Sequence, residues 1–180
     1  MTTRVAFFDG GFRGNPGPGG SGSAIVELHS PGPGHTVLWA AATALSHNKT
    51  TNNVAEFTGL LRVVQRADEQ HWRGLHVVGD SAVILGLMRC RKAPKSRKLG
   101  RLYAEARRLA DKVQVSTWQH HYRRHNTAAD GLANYAMGTR KSVVYMAGGR
   151  ADHQLLQKIQ TKIIGDVGRW LEDHDVHGGE

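Results

Sequence analysis

The spacing of apolar positions changes several times along the chain, and each change marks an element. Val5 to Phe8 is a continuous apolar run ending at Asp9-Gly10-Gly11, which predicts a buried strand meeting a turn. A Gly- and Pro-rich loop follows from Gly14 to Gly22. Ser23 to Leu28 and Thr36 to Ala44 then predict two more strands, and Ser30-Pro31-Gly32-Pro33-Gly34 between them predicts an antiparallel hairpin. The period then becomes helical. Val54, Phe57, Leu61 and Val64 place a helix over 53–69. Leu75 to Val78 reads as a short strand ending in Gly79-Asp80, and Ser81 to Met88 as a helix. A basic stretch leads to another helical pattern through Leu99, Leu102, Tyr103, Ala106 and Leu109. Val113 to Trp118 alternates as a strand, and Thr127 to Met137 reads as a helix. Three strands, a helix, strand–helix units and a final helix predict an α/β fold. Its mixed five-stranded sheet has three antiparallel strands, then parallel ones, flanked by helices.

Gly148-Gly149 marks a break. Beyond it Leu156, Ile159, Ile163, Val167 and Trp170 keep helical spacing. Residues 1–140 are therefore read as one domain and 141–180 as an extension carrying one amphipathic helix. Its apolar stripe is expected to pack on its own domain, with a second copy or a protein partner as the alternatives.

Composition narrows the partner. Among 180 residues, Lys and Arg number 24 against 15 Asp and Glu, for a formal charge of +9. That excess favours a polyanion, either nucleic acid or an anionic membrane surface. No apolar run approaches a bilayer span, and the amino terminus lacks a basic start followed by a hydrophobic stretch. The single cysteine, Cys90, cannot close an internal disulfide and excludes a Cys-rich zinc module. The expected location is cytoplasmic or otherwise intracellular, without membrane contact.

Four carboxylates carry the candidate chemistry, and each has a bland explanation. Asp9 precedes a glycine at a turn. Glu56 lies three residues after Asn53, a variant capping box. Asp80 opens a helix as an N-cap would, and Asp130 follows Thr127 by three, another helix-start pairing. Together they read differently. Asp9 and Asp80 both stand where apolar strands end, where ligands gather in such sheets. Glu56 and Asp130 lie in the first turns of helices that can pack on those strands. Clustered carboxylates repel one another unless cations neutralise them, and hard oxygen ligands suit Mg²⁺ or Mn²⁺. Two such ions about 3.5–4 Å apart can stabilise the attacking and leaving oxygens of a phosphodiester.

The local sequence around these carboxylates resembles the ribonuclease HI family. Phe8-Asp9-Gly10-Gly11 with Gly14-Asn15-Pro16-Gly17-Pro18-Gly19-Gly20 is similar to its first motif. Thr51-Asn52-Asn53-Val54-Ala55-Glu56 resembles the second, and Gly79-Asp80-Ser81 the third. Arg123, Asn126 and Ala129-Asp130-Gly131-Leu132-Ala133-Asn134 resemble the fourth. All four occur in family order across roughly residues 4 to 138, which makes the combination far more specific than any one motif. The resemblance implies a ribonuclease H-like fold and cleavage of the RNA strand of RNA–DNA hybrids with two Mg²⁺ ions, or Mn²⁺ in their place. It implies that Asp9, Glu56, Asp80 and Asp130 are the catalytic metal ligands. It places Asn15 and Asn53 around the RNA 2′-hydroxyls, and Thr51 and Asn52 near the nucleic-acid backbone. An amide can donate to and accept from a 2′-hydroxyl, the group that separates RNA from DNA. Asn53 as a helix cap stands beside that role.

A histidine upstream of the last aspartate assists proton transfer and product release in family members. Counting back from Asp130 places His120 there, with His121 and His125 nearby. Relatives with a shorter loop lean on an arginine, which corresponds to Arg123, also a candidate substrate contact; structural or surface roles are the alternative for both His120 and Arg123. The basic run Arg89, Arg91, Lys92, Lys95, Arg97, Lys98 and Arg101 reads as a solvated surface or as contacts to DNA-strand phosphates. We assign Arg91, Lys92 and Lys95 to the substrate on the second reading. Three other signals are discounted. Gly17 to Gly22 matches G-x-G-x-x-G formally, but a strand follows where the dinucleotide fingerprint needs a helix, so no small-molecule cofactor is expected. The spacing of His120, His121 and His125 is too generic for a zinc site. A proofreading exonuclease would carry a second carboxylate two residues after Asp9, where Gly11 stands. A hybrid-binding module without catalysis, and the nuclease part of a larger reverse transcriptase, are the remaining alternatives.

Overall fold

The structure is a computed structural model that describes residues 2–13, 18–30, 32–45, 51–149 and 153–178, with side chains to residue 174. Its centre is a six-stranded sheet built from β1 (Thr3–Phe12), β2 (Gly19–Leu28), β3 (His35–Leu45), β4 (His76–Gly79), β5 (Thr117–His120) and β6 (Val143–Met146). The spatial order is β5-β4-β1-β2-β3-β6. β1, β2 and β3 form an antiparallel meander, while β4 and β5 run parallel to β1 on its other side.

Period-two alternation in β1 sends side chains to two different cores. Ala6 and Phe8 join one apolar cluster with helices α1 (Asn52–Gln70), α2 (Ala82–Cys90) and α3 (Arg97–Lys112). Val5 and Phe7 join a second with α4 (Thr127–Thr139) and α5 (His153–Gly178). The sheet is thus covered on both faces. That explains why Val5 to Phe8 reads as an unbroken apolar run rather than an alternating one.

Several expectations change. The sheet has six strands rather than five, because Val143–Met146 pairs antiparallel with β3. The extension therefore carries a strand as well as a helix. β1 continues past Asp9 to Phe12, held by pairing with β2, so Asp9 lies within a strand instead of at its turn. The strand expected over 113–118 begins only at Thr117. Val113 caps α3, and Val113 and Val115 contribute to the first core, which accounts for their alternating apolar pattern without a ladder.

The C-terminal stripe packs on its own domain. Ile159, Ile163, Val167 and Trp170 are buried in the second core, joined by Leu155 rather than the expected Leu156, which is only partly buried against it. Each such side chain contributes about 1.5–3 kcal/mol, enough to hold α5 against the sheet and α4. Among the described residues, no helix is long and apolar enough to cross a membrane.

Candidate active site

Glycines allow the helices to reach the carboxylate-bearing strand. A Cβ on Gly10 would stand 2.2 Å from the Ala55 carbonyl carbon, and one on Gly22 would stand 2.0 Å from the Ala129 carbonyl oxygen. Backbone therefore meets backbone at residues adjacent to Glu56 and Asp130. Ser21 and Ser23 fasten α1 to β2 by donating from their hydroxyls to the carbonyls of Ala55 at 2.6 Å and Gly59 at 2.8 Å. On the other face, Asn126 is fully buried and donates from Nδ2 to the Phe8 carbonyl at 2.9 Å. That bond ties the start of α4 to the residue preceding Asp9.

The sheet register puts two of the carboxylates side by side. Phe8 and Gly79 form the last pair of the parallel β1–β4 ladder, so Asp9 and Asp80 are the next residues on neighbouring strands. Glu56 joins them from the first turn of α1. One carboxylate oxygen from each of Asp9, Glu56 and Asp80 lies within 4.8 Å of the others. Asp130 stands at the rim of this trio. Arg123 spans the gap, its Nε 3.9 Å from Asp80 Oδ2 and 4.0 Å from Asp130 Oδ1.

The bland explanations of these carboxylates fail one after another. Thr51 caps α1 by accepting from Val54 N–H, so Glu56 belongs to no capping box with Asn53. Ser81, not Asp80, caps α2. The N-terminus of α4 is capped by neither Thr127 nor Asp130. Asp166 of α5 does so, accepting from the N–H groups of Thr127 at 2.9 Å and Ala128 at 2.8 Å and from the Thr127 hydroxyl at 3.0 Å.

Released from structural duty, the cluster is electrostatically frustrated. Burial pushes the Asp9 carboxyl up to about 9. The charges of Asp80 and Glu56 add to this, the Gly10 N–H bond opposes it, and Asp130 adds a smaller push. Burial also lifts Glu56 to about 8, with Asp80 adding to it and Arg123 opposing. Glu56 Oε2 and Asp80 Oδ1 are buried without a hydrogen-bond partner. Buried anionic oxygens lacking donors are costly unless a cation supplies the missing charge. An all-oxygen ligand set of this kind fits a hard divalent ion.

The remaining predicted residues divide. Thr51, Asn52 and Asn53 are exposed at the start of α1, beside the cluster. His120, paired with Gly79 in the β4–β5 ladder, places Nε2 3.1 Å from the Asp80 carbonyl oxygen. Its neighbour His121 turns inward instead, buried with Nε2 3.3 Å from Asp173 of α5. Arg91 is held by a bidentate contact to Asp111 at 2.9 and 3.0 Å, whereas Lys92 and Lys95 project into solvent. Asn15 lies outside the described residues. Asp166 and the structural role of Asn126 were missed. The signal for Asp166 was available: a lone carboxylate between Ile163 and Trp170, on the buried face of the helical stripe.

Comparison with known proteins agrees with this fold. Residues 7–136 match the family described as reverse transcriptase-like. The bifunctional protein Rv2228c of Mycobacterium tuberculosis is 37% identical over 130 residues, which are 72% of this chain and 34% of that protein. The chain thus spans about a third of the length of this relative. Ribonuclease HI of Halobacterium salinarum is 30% identical over 132 residues, 73% of this chain and 63% of that protein. Among solved structures, the N-terminal RNase H domain of Rv2228c superposes with a TM-score of 0.65 at 35% identity, covering 77% of this chain and 96% of that one. LC11-RNase H1, solved in complex with an RNA/DNA hybrid, gives 0.63 at 26% identity, covering 77% and 99%.

Proposed function

This chain belongs to the ribonuclease H family, and on that premise we propose that it is an endonuclease cutting the RNA strand of RNA–DNA hybrids. The observation that carries the reading is the convergence of Asp9, Glu56 and Asp80, with two of their buried oxygens left without donors. Asp9, Glu56, Asp80 and Asp130 would hold two Mg²⁺ ions, with Mn²⁺ as a substitute. When bound, such ions neutralise the charge that develops on the attacking and leaving oxygens during in-line displacement.

The chain's own groups orient the substrate around that centre. Asn53, exposed at the start of α1, offers its amide to the RNA 2′-hydroxyls, and Asn15 shares this role. Thr51 and Asn52 lie beside the nucleic-acid backbone. Lys92 and Lys95 project toward solvent from the α2–α3 connection and take DNA-strand phosphates. Arg91, already engaged by Asp111, contributes less. A water oxygen bonds to phosphorus as the bond from phosphorus to the 3′-oxygen breaks. The proton acquired by that oxygen leaves a 3′-hydroxyl opposite a 5′-phosphate. In this reading His120, whose Nε2 lies 3.1 Å from the Asp80 carbonyl oxygen, moves protons at this edge, and Arg123 steadies Asp80 and Asp130. Replacing each with Ala should lower turnover about 10-fold or more. Unchanged turnover in both variants removes them from the mechanism.

The test of the function is a labelled hybrid incubated with Mg²⁺ beside duplex DNA and duplex RNA, with the product ends mapped. Hybrid-only cleavage leaving 5′-phosphate is expected. Equal cleavage of duplex DNA would contradict the substrate class.

A further inference from the structure

The C-terminal helix supplies none of the clustered carboxylates, yet it brings two cations to their flank. A groove between α4 and α5 is lined by Gly131, Asn134, Tyr135, Lys158 and Lys162. Its position follows from helix geometry. Asn134 lies four residues after Asp130, on the same face, and donates from Nδ2 to the Asp130 carbonyl at 3.0 Å. Gly131 is the residue next to Asp130. The Lys162 ammonium rests against it, since a Cβ on Gly131 would stand 2.9 Å from Nζ. Lys158 Nζ sits 4.9 Å from the Tyr135 ring centroid, a contact that holds the ammonium at the groove wall. Arg13 continues the line, donating from Nη2 to Asn134 Oδ1 at 3.3 Å.

Neither lysine has a carboxylate partner among the described residues, although several cations elsewhere in the molecule do. Arg91 and Arg107 share Asp111, Arg108 takes Glu105, Lys112 takes Asp68, and Arg169, two turns further along α5, takes Asp173. Two exposed ammoniums thus stand unpaired beside an acidic cluster. A polyanion approaching that cluster is repelled by Asp9, Glu56, Asp80 and Asp130. Cations immediately alongside offset the repulsion and fix the backbone on either side of the scissile bond. The missing side chain at Gly131 keeps the path to Lys162 open.

We infer that Lys158 and Lys162 form a phosphate subsite for the nucleic-acid backbone next to the cleavage centre, built by the C-terminal helix outside the matched family segment. The inference rests on the hybrid-cleaving function proposed above, and it makes the C-terminal helix part of the substrate surface as well as of the core.

The test measures binding of a labelled RNA–DNA hybrid to the full chain across a salt series, with Asp80→Asn present to prevent cleavage. Lys158→Gln with Lys162→Gln is compared with Arg73→Gln and Lys112→Gln. The latter remove the same charge near the opposite end of β4. Each phosphate contact contributes about 0.9 to the slope of log affinity against log salt. Loss of the subsite should flatten the slope by about 1 to 2 and weaken binding several-fold at low salt, while the control pair leaves the slope nearly unchanged. Identical slopes for the two pairs would overturn the subsite and leave the proposed function standing. An Asp80→Asn chain that binds no hybrid would overturn both.

Discussion

Two regions of this molecule bury carboxylates, and they do so in opposite ways. At the junction of α4 and α5, Asp166 is 1% exposed and accepts hydrogen bonds from two backbone N–H groups and a hydroxyl. Where the β1–β4 ladder ends, Asp9 is 4% exposed and accepts from its own neighbour Gly10, while Glu56 and Asp80 each keep a buried oxygen unpartnered. Burial alone does not distinguish structure from chemistry. The supply of donors does: Asp166 is satisfied by the fold, and the cluster of Asp9, Glu56 and Asp80 is left for something the fold does not contain. The two regions are also connected, because the helix start that Asp166 caps carries Asp130 in its first turn.

That contrast can be broken in graded ways. The largest structural effect should come from Gly22→Ala. Its Cβ would fall 2.0 Å from the Ala129 carbonyl oxygen, so β2 and α4 must separate. We expect a loss of about 3 kcal/mol, at the upper end of overpacking costs, together with most of the activity, read by denaturant unfolding and hybrid cleavage. Retained stability and activity would show that this close approach is dispensable.

Asp166→Ala is next. It strips three acceptor contacts from the α4 N-terminus and should cost about 2 kcal/mol, as a lost cap with orphaned donors does. Cleavage should fall further than stability accounts for, because Asp130 loses its fixed turn. Asp166→Asn keeps acceptor capacity and should recover part of both. Equal effects of Ala and Asn would argue against capping as the cause.

A smaller effect concerns pH in metal-free protein. The Asp9 and Glu56 carboxyls rise from ordinary values of 3.8 and 4.5 to about 9 and about 8 in the fold. The folded state therefore holds protons that the unfolded chain has already released. This contribution is complete below about pH 4 and is lost as pH rises through 8 and 9. Thermal melts without divalent ions should show a Tm that declines from about pH 4 and levels off above about pH 9. Asp9→Asn should flatten the decline, and added Mg²⁺ should raise Tm most at the alkaline end. A decline of the same size in Asp9→Asn would assign it to other groups.

Much of this was legible in the sequence, and the failures share a cause. The carboxylates that the fold gathers could be singled out because their motifs are local: each sits beside glycines or helix caps that mark its place in the sequence. The helices over 53–69 and 127–137 were found because one face of each is apolar at regular spacing, and they shifted by only a residue or two at most ends. What escaped depends on distant partners. β6 is a four-residue edge strand whose pairing with β3 joins residues about a hundred positions apart in sequence, and its pattern alone is too short to read. Val113 and Val115 alternate like a strand, yet they turn into the first core from the end of α3 and the connection after it. Asp166 interrupts an apolar stripe, and only the approach of α4 shows why.

The most direct test of the central claim is hybrid cleavage by Asp9→Asn and Asp80→Asn chains beside wild type, with hybrid binding measured on the same preparations. Each substitution keeps the shape and removes a charge, so cleavage should fall by about a thousand-fold or more while binding stays within a few-fold. Cleavage at the wild-type rate in either variant would contradict the account, since the clustered carboxylates would then be buried together for no catalytic purpose.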